Sequence, residues 1–123
     1  MNMTTITRQV GEVTIVDISG GIVLGEESAA LRALFCNLLA DGHRRILFNL
    51  GNVSYIDSTG VGHLASAVAS VRKLNGDLKL FNLTNKIREM LQITKLHTVI
   101  EVMDSEAVAI KSFGKALAAA AAR

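Results

Sequence analysis

Hydrophobic and polar positions change period several times along the chain, and each change marks an element. Around Gly11, the segments Thr4 to Arg8 and Glu12 to Ile18 are rich in β-branched residues, a pattern that predicts two strands of a hairpin. Gly20, Gly21 and Gly25 then punctuate what reads as a loop. From Glu27 to Ala40 the apolar residues Leu31, Leu34, Phe35, Leu38 and Leu39 follow the i, i+3, i+4, i+7, i+8 spacing of a helix that buries one stripe, and Asp41-Gly42 ends it. Arg45 to Leu50 is a nearly continuous apolar run, the mark of a strand buried on both faces, closed by Gly51-Asn52.

A second helical stripe, Val61, Leu64, Ala65, Val68 and Val71, follows a turn at Asp57 and should end in a left-handed cap at Asn75-Gly76. Leu78 to Leu83 reads as a strand, Asn85 to Thr94 as a helix and Thr98 to Met103 as a last strand. A final helix is expected from Asp104, whose carboxylate would accept from the N–H of Glu106 or Ala107, with Ile110, Phe113, Gly114 and Leu117 as its packing face. From Arg45 onward the order is β-α-β-α-β, which the right-handed crossover rule turns into a parallel sheet. The expected fold is α/β: a mixed sheet of about five strands, made of the N-terminal hairpin plus the parallel units, with about four helices. At 123 residues one domain is expected, ending in an Ala-rich helical tail from about 114 to 123 that extends the last helix, frays, or makes an oligomer contact.

Composition narrows the function classes. Half of the residues are hydrophobic and a fifth charged, which excludes disorder, and no apolar run approaches the roughly 20 residues of a membrane span. The opening Met-Asn-Met-Thr-Thr lacks the basic flank and apolar core of a signal peptide, so a cytoplasmic protein with no membrane association is expected. Cys36 is the single cysteine, and no Cys or His pair has zinc-ligand spacing, so neither a disulfide nor a metal site is expected. A net charge of +2 spread along the chain does not point to nucleic acid.

The stretch from Tyr55 to Gly62, Tyr-Ile-Asp-Ser-Thr-Gly-Val-Gly, carries the candidate chemistry. It sets the hydroxyl of Ser58 at a helix start, where N–H groups without internal partners and the positive end of the macrodipole favour an anion. Such a site suits a phosphoserine. Enzyme motifs fit poorly. Gly60-Val61-Gly62-His63-Leu64-Ala65 matches the dinucleotide pattern GxGxxG/A, yet it does not follow the first strand and meets no acidic residue at the end of the next. A nucleophile elbow would need glycine at Ile56. Of His43, His63 and His97 only His63 is near Ser58 in sequence, on what reads as the polar side of its helix. Asp57 or Ser58 could equally serve as a plain N-cap.

The run from Leu47 to Gly62, with its Asp57-Ser58-Thr59-Gly60 core and a second glycine at Gly62, resembles the signature of STAS domains, in particular the bacterial anti-sigma factor antagonists. The likeness extends over the opening hairpin, the Asp17-Ile18-Ser19-Gly20 step, the helix after Gly25 and the element order to the end. It implies a binding protein and no enzyme, without cofactor. Its unmodified form would dock on an anti-sigma factor with serine-kinase activity and so free a sigma factor. Phosphorylation of Ser58 would switch docking off, and a separate phosphoserine phosphatase would reset it. Thr59 is the alternative hydroxyl. Asp57, Ser58, Thr59, Gly60 and Gly62, with Ser19, Gly20, Gly21 and Gly25 and the exposed side of the second helix, would form the partner-binding surface of a monomer or weak dimer. The resemblance also leaves open a STAS subunit that is never phosphorylated, in a sensor complex or a phospholipid-transport ATPase; a small nucleotide-binding protein is the reading outside the family. The chain departs from the commoner pattern at Asn49, where an aspartate is frequent, and at Ile22-Val23.

Overall fold

The computed structural model describes residues 3–23 and 25–121, with side chains from 28 to 114 in the helical part of the chain. Strands β1 (Met3–Val10) and β2 (Val13–Ile22) form the expected hairpin about Gly11, antiparallel, with Val10 opposite Val13. Then follow α1 (Glu26–Ala40), β3 (Arg45–Ile56), α2 (Ser58–Lys73), β4 (Asp77–Phe81), α3 (Asn85–Ile93), a 3-10 turn (Leu96–Thr98), β5 (Val102–Met103) and α4 (Glu106–Ala121). The strands lie in the order β1-β2-β3-β4-β5, and every pair after the hairpin is parallel.

Three layers result. Helices α1, α2 and α3 cover one face, where Val16, Ile18, Ile46, Phe48, Leu78 and Leu80 of the sheet meet Leu31, Phe35, Leu64, Val68, Ile87 and Leu91. The other face carries a smaller core of Val13, Ile15, Leu47 and Phe81 under Ala109 and Phe113 of α4. Strand β3 runs through both cores, which explains its unbroken apolar pattern: Phe48 and Leu47 point to opposite faces and both are buried.

Several boundaries differ from expectation, for reasons of tertiary pairing. Gly20 and Gly21 are not in a loop; they lie inside β2, and β3 continues past Gly51-Asn52 to Ile56 beside them. Two register shifts, between Asp17 and Ser19 and between Gly20 and Gly21, keep the strands paired through these glycines. Strand β4 stops at Phe81 because Asn82 turns left-handed, with φ 62°. The expected last strand shrinks to two residues, as Leu96–Thr98 wind into the 3-10 turn. The cap of α4 is Ser105, not Asp104: Ser105 Oγ accepts from the Val108 N–H at 3.3 Å. The cap after α2 falls where expected, with Asn75 at φ 64° and the Gly76 N–H donating to Val71 O at 2.9 Å. The packing of the Ala-rich tail, expected to extend, fray or make a contact, lies outside the described side chains, although the α4 backbone reaches Ala121.

Two polar fastenings hold α4 to the sheet. The Arg8 guanidinium on β1 bonds Asp17 on β2 (Nε to Oδ2, 2.8 Å) and reaches Glu106 in the first turn of α4, donating through Nη1 at 3.1 Å and also through Nη2. That guanidinium holds both the Glu106 and the Asp17 carboxyls below the usual carboxylate range. Lys79, buried on β4, donates to Ser112 Oγ at 2.9 Å, pairs with Glu101 at 3.1 Å and lies 4.6 Å from the centre of the Phe113 ring. No buried side-chain polar atom is left without a partner among the described residues.

Candidate functional site

The C-terminal ends of the parallel strands gather the turn that the sequence singles out. In α/β sheets this edge is where loops and helix N-termini converge. Strand β3 ends at Ile56, and the Asp57 N–H donates to Ile22 O at 3.2 Å, tying it to the end of β2. Asp57 is extended (φ −96°, ψ 179°) and caps α2: its Oδ1 accepts from the Gly60 N–H at 2.8 Å, and its carbonyl accepts from the Val61 N–H at 3.0 Å. Of the two candidates for the N-cap, Asp57 therefore holds the place, and Ser58 is the first helical residue. Ser58 is exposed, Thr59 half-buried, Gly60 buried and Gly62 exposed. The N–H groups of Ser58 and Thr59 precede the first i to i−4 bond, so an anion at Ser58 has donors within the same turn.

Gly60 is positioned by packing. A Cβ there would lie 2.5 Å from Ile22 O and 2.8 Å from Ile56 Cγ1, so only glycine lets α2 seat on the ends of β2 and β3. Gly60 faces the core, and the close backbone approach that it allows is made to the ends of β2 and β3. Its N–H is taken by Asp57, which also leaves the GxGxxG-like run without the open backbone that a pyrophosphate needs. Gly62 has nothing within 4 Å of where a Cβ would stand, so it belongs to the outer surface.

The other expected site residues divide. Ser19, Gly20 and Gly21 lie in β2 beside Asn52, Val53 and Tyr55 of β3, and Gly20 O accepts from the exposed Ser54 hydroxyl at 3.3 Å. Gly21 is buried, so it shapes the strand and offers no surface of its own. Gly25 stands at the start of α1 with φ +117°, a backbone that other residues rarely adopt, and its carbonyl accepts from the Ala29 N–H at 3.1 Å. Thus the end of β2 and the Asp57 to Gly60 turn meet at one edge of the sheet through Ile22. His63 is half-buried and faces α1, not on a plain polar side, because it borders the apolar stripe of Val61 and Leu64.

The contact between Tyr55 and Lys86 escaped the sequence reading. Tyr55, exposed near the end of β3, has the Lys86 ammonium of α3 at 5.8 Å from its ring centre. Its place just before the Asp-Ser-Thr-Gly core was the available signal. Asn49 proves to lie in mid-strand, on the α4 side: its Nδ2 donates to Asp17 Oδ1 at 2.8 Å, while its Oδ1 accepts from the Gly51 N–H at 3.1 Å and from Asn82 Nδ2 at 3.2 Å. An amide suits this place because Asp17 opposite is already a carboxylate. Among the described residues no group of three metal-ligating side chains exists, and no helix is long and apolar enough to cross a membrane.

The site thus consists of an exposed serine one residue inside an aspartate-capped helix, at the carboxyl edge of a sheet made of a hairpin plus parallel strands. The STAS domain family matches residues 4–109, and the chain belongs to that family. It is 28% identical over 97 residues to BtrV of Bordetella bronchiseptica, covering 79% of this chain and 84% of that protein. With the anti-sigma-B factor antagonist of Listeria monocytogenes it shares 38% over 58 residues; that match takes in 47% of this chain and spans about half the length of the relative (51%). Among solved structures, the anti-sigma factor antagonist SpoIIAA in its unphosphorylated form superposes with a TM-score of 0.70 over 89% of this chain and 97% of that one, at 21% identity. SpoIIAA of Bacillus in its phosphorylated form gives 0.71 over 89% and 99%, at 22% identity. These structures share the fold.

Proposed function

We propose that this protein is an anti-sigma factor antagonist whose docking is switched by phosphorylation of Ser58. Unmodified, it binds an anti-sigma factor that is also a serine kinase and thereby frees a sigma factor. The kinase then phosphorylates Ser58 and the complex comes apart, until a separate phosphatase restores the hydroxyl. The observation that carries the reading is the pairing of an exposed Ser58 with an Asp57 cap at the start of α2, on the carboxyl edge of the sheet. A relative named as an anti-sigma-B factor antagonist, and a fold shared with SpoIIAA in unphosphorylated and phosphorylated forms, support it. The chain itself catalyses nothing in this scheme; its chemistry is to present an acceptor.

The physical lever is charge. A phosphate brings about −1.5 to −2 units at neutral pH. The α2 N-terminus, with the free N–H groups of Ser58 and Thr59, offsets part of that charge, so the fold tolerates it. Asp57 lies next to it and a partner seated on the turn would have to desolvate it, so the complex does not. A loss of about 1.4 kcal/mol already weakens binding tenfold. Incubation of the purified protein with candidate anti-sigma kinases and ATP, followed by phosphopeptide mapping, tests the assignment. Phosphate at Ser58 is expected; modification confined to Ser54 or Thr59 would move the switch elsewhere.

A further inference from the structure

A groove between α1 and α2 takes no part in the chemistry above. One cavity in it has a volume of about 330 Å³, within the range of small-molecule sites, and a more open extension of about 500 Å³ reaches Gly25. The floor is apolar: Phe35 of α1 meets Phe48 of β3 edge to face, ring centres 6.3 Å apart, with Leu64 of α2 beside them. The rim is not. Arg32 from α1 and His63 from α2 line both the cavity and its extension, and Ser66 adds a hydroxyl one turn further along α2. No carboxylate lines the groove among the described residues, and none of them pairs with Arg32 or His63. On the same helix as His63, Arg72 by contrast pairs with Asp77 at 3.1 Å. An apolar slot under two unengaged nitrogen donors is complementary to a molecule with an anionic head and a hydrocarbon body.

We propose that the α1–α2 groove binds a small amphipathic carboxylate of the medium-chain fatty-acid class. Its head is held by Arg32 and His63, and its chain lies over Phe35, Phe48 and Leu64. The groove shares α2 with the Ser58 turn but uses none of that turn's groups, so this proposal stands or fails apart from the function proposed above.

The chain carries its own reporter. Cys36, the single cysteine, is exposed and lines the groove. Decanoate titrated into the purified protein should protect Cys36 from a maleimide and give saturable heat in calorimetry. Across hexanoate, octanoate and decanoate, affinity should rise about fourfold for each methylene buried, until the floor is covered. Decanol, equal in length and uncharged, should bind at least fivefold more weakly. Arg32→Glu, an exposed change, should weaken decanoate at least tenfold while leaving the melting temperature within a few degrees. Ser66→Trp, which puts a large ring into the mouth, should abolish protection, with Arg32→Glu deciding alone if that variant fails to fold. Absence of both heat and protection with decanoate would overturn the proposal. So would equal binding of decanoate and decanol, or of wild type and Arg32→Glu, and so would protection of Cys36 by an anti-sigma factor but not by decanoate, which would assign the groove to a protein.

Discussion

Gly60 and Gly62 stand two residues apart in α2, and the same substitution should move stability in opposite directions. In an open helix, glycine to alanine gains about 1 kcal/mol, since alanine loses less backbone freedom on folding. Gly62→Ala should realise most of this, because nothing lies within 4 Å of the added carbon. At Gly60 the new Cβ would fall 2.5 Å from Ile22 O, a backbone atom that cannot rotate away, and 2.8 Å from Ile56 Cγ1. Relief requires the start of α2 to lift off the sheet. Overpacking of this kind costs about 1–3 kcal/mol. The movement also strains the Asp57 N–H to Ile22 O bond, already 3.2 Å long, whose net contribution is about 0.5–1.5 kcal/mol. Set against the propensity gain, Gly60→Ala should be destabilised by about 1–3 kcal/mol and the two variants should differ by about 2–4 kcal/mol, or roughly 10 °C in melting temperature for a chain of this size. Urea titrations with both variants and wild type read the difference directly. If Gly60→Ala matches or exceeds Gly62→Ala in stability, the close seating of α2 on β2 is wrong, and with it the placement of Gly60 in the core.

Asn49→Asp sets a second carboxylate against Asp17 and removes the donor now 2.8 Å away, so stability at pH 7 should fall by about 1–3 kcal/mol and recover as the pH approaches 4; equal stability at pH 7 would refute the amide's role. The Arg8 fastening should fade in acid. Glu106 and Asp17 both have folded-state pKa values below their unfolded ones, so the unfolded chain binds more protons as pH falls, and the stabilisation present above about pH 4–5 is lost as pH drops through the folded values. Wild type should therefore exceed Arg8→Met by about 0.5–2 kcal/mol at pH 7, these pairs being partly exposed, and by almost nothing at pH 2–3; a difference that does not change with pH would contradict the ion pairs.

Local rules carried much of this fold. The apolar stripes of α1 and α2, the alternation of β and α from Arg45, the hairpin about Gly11 and the left-handed Asn75 were all legible, since each depends on neighbours a few residues away. What escaped depends on distant partners. Gly20, Gly21 and Gly51 look like breakers in sequence, but β2 and β3 pair through them by shifting register, which only the facing strand can reveal. The Arg8 to Glu106 contact spans 98 positions of sequence. For the candidate site, the turn, the exposed serine and the helix start were legible from Asp57-Ser58-Thr59-Gly60. That Gly60 turns inward and Gly62 outward was not, because the pattern Gly-x-Gly does not say which glycine meets Ile22. The division also lowers the expected structural cost of changing Ser58: with Asp57 as the cap, Ser58→Ala removes only an exposed hydroxyl, within about 0.5 kcal/mol of neutral.

Charge at Ser58 as the control of docking is tested most directly by the affinities of Ser58→Ala and Ser58→Asp for an anti-sigma factor recovered from the protein's own cells. Both variants should melt close to wild type, since alanine leaves the Asp57 cap intact and the first helical turn accommodates an aspartate. Ser58→Ala should bind within about twofold of the unmodified protein and resist phosphorylation by the partner, whereas Ser58→Asp should bind at least tenfold more weakly, a change of about 1.4 kcal/mol. Equal binding by the two folded variants would contradict the switch.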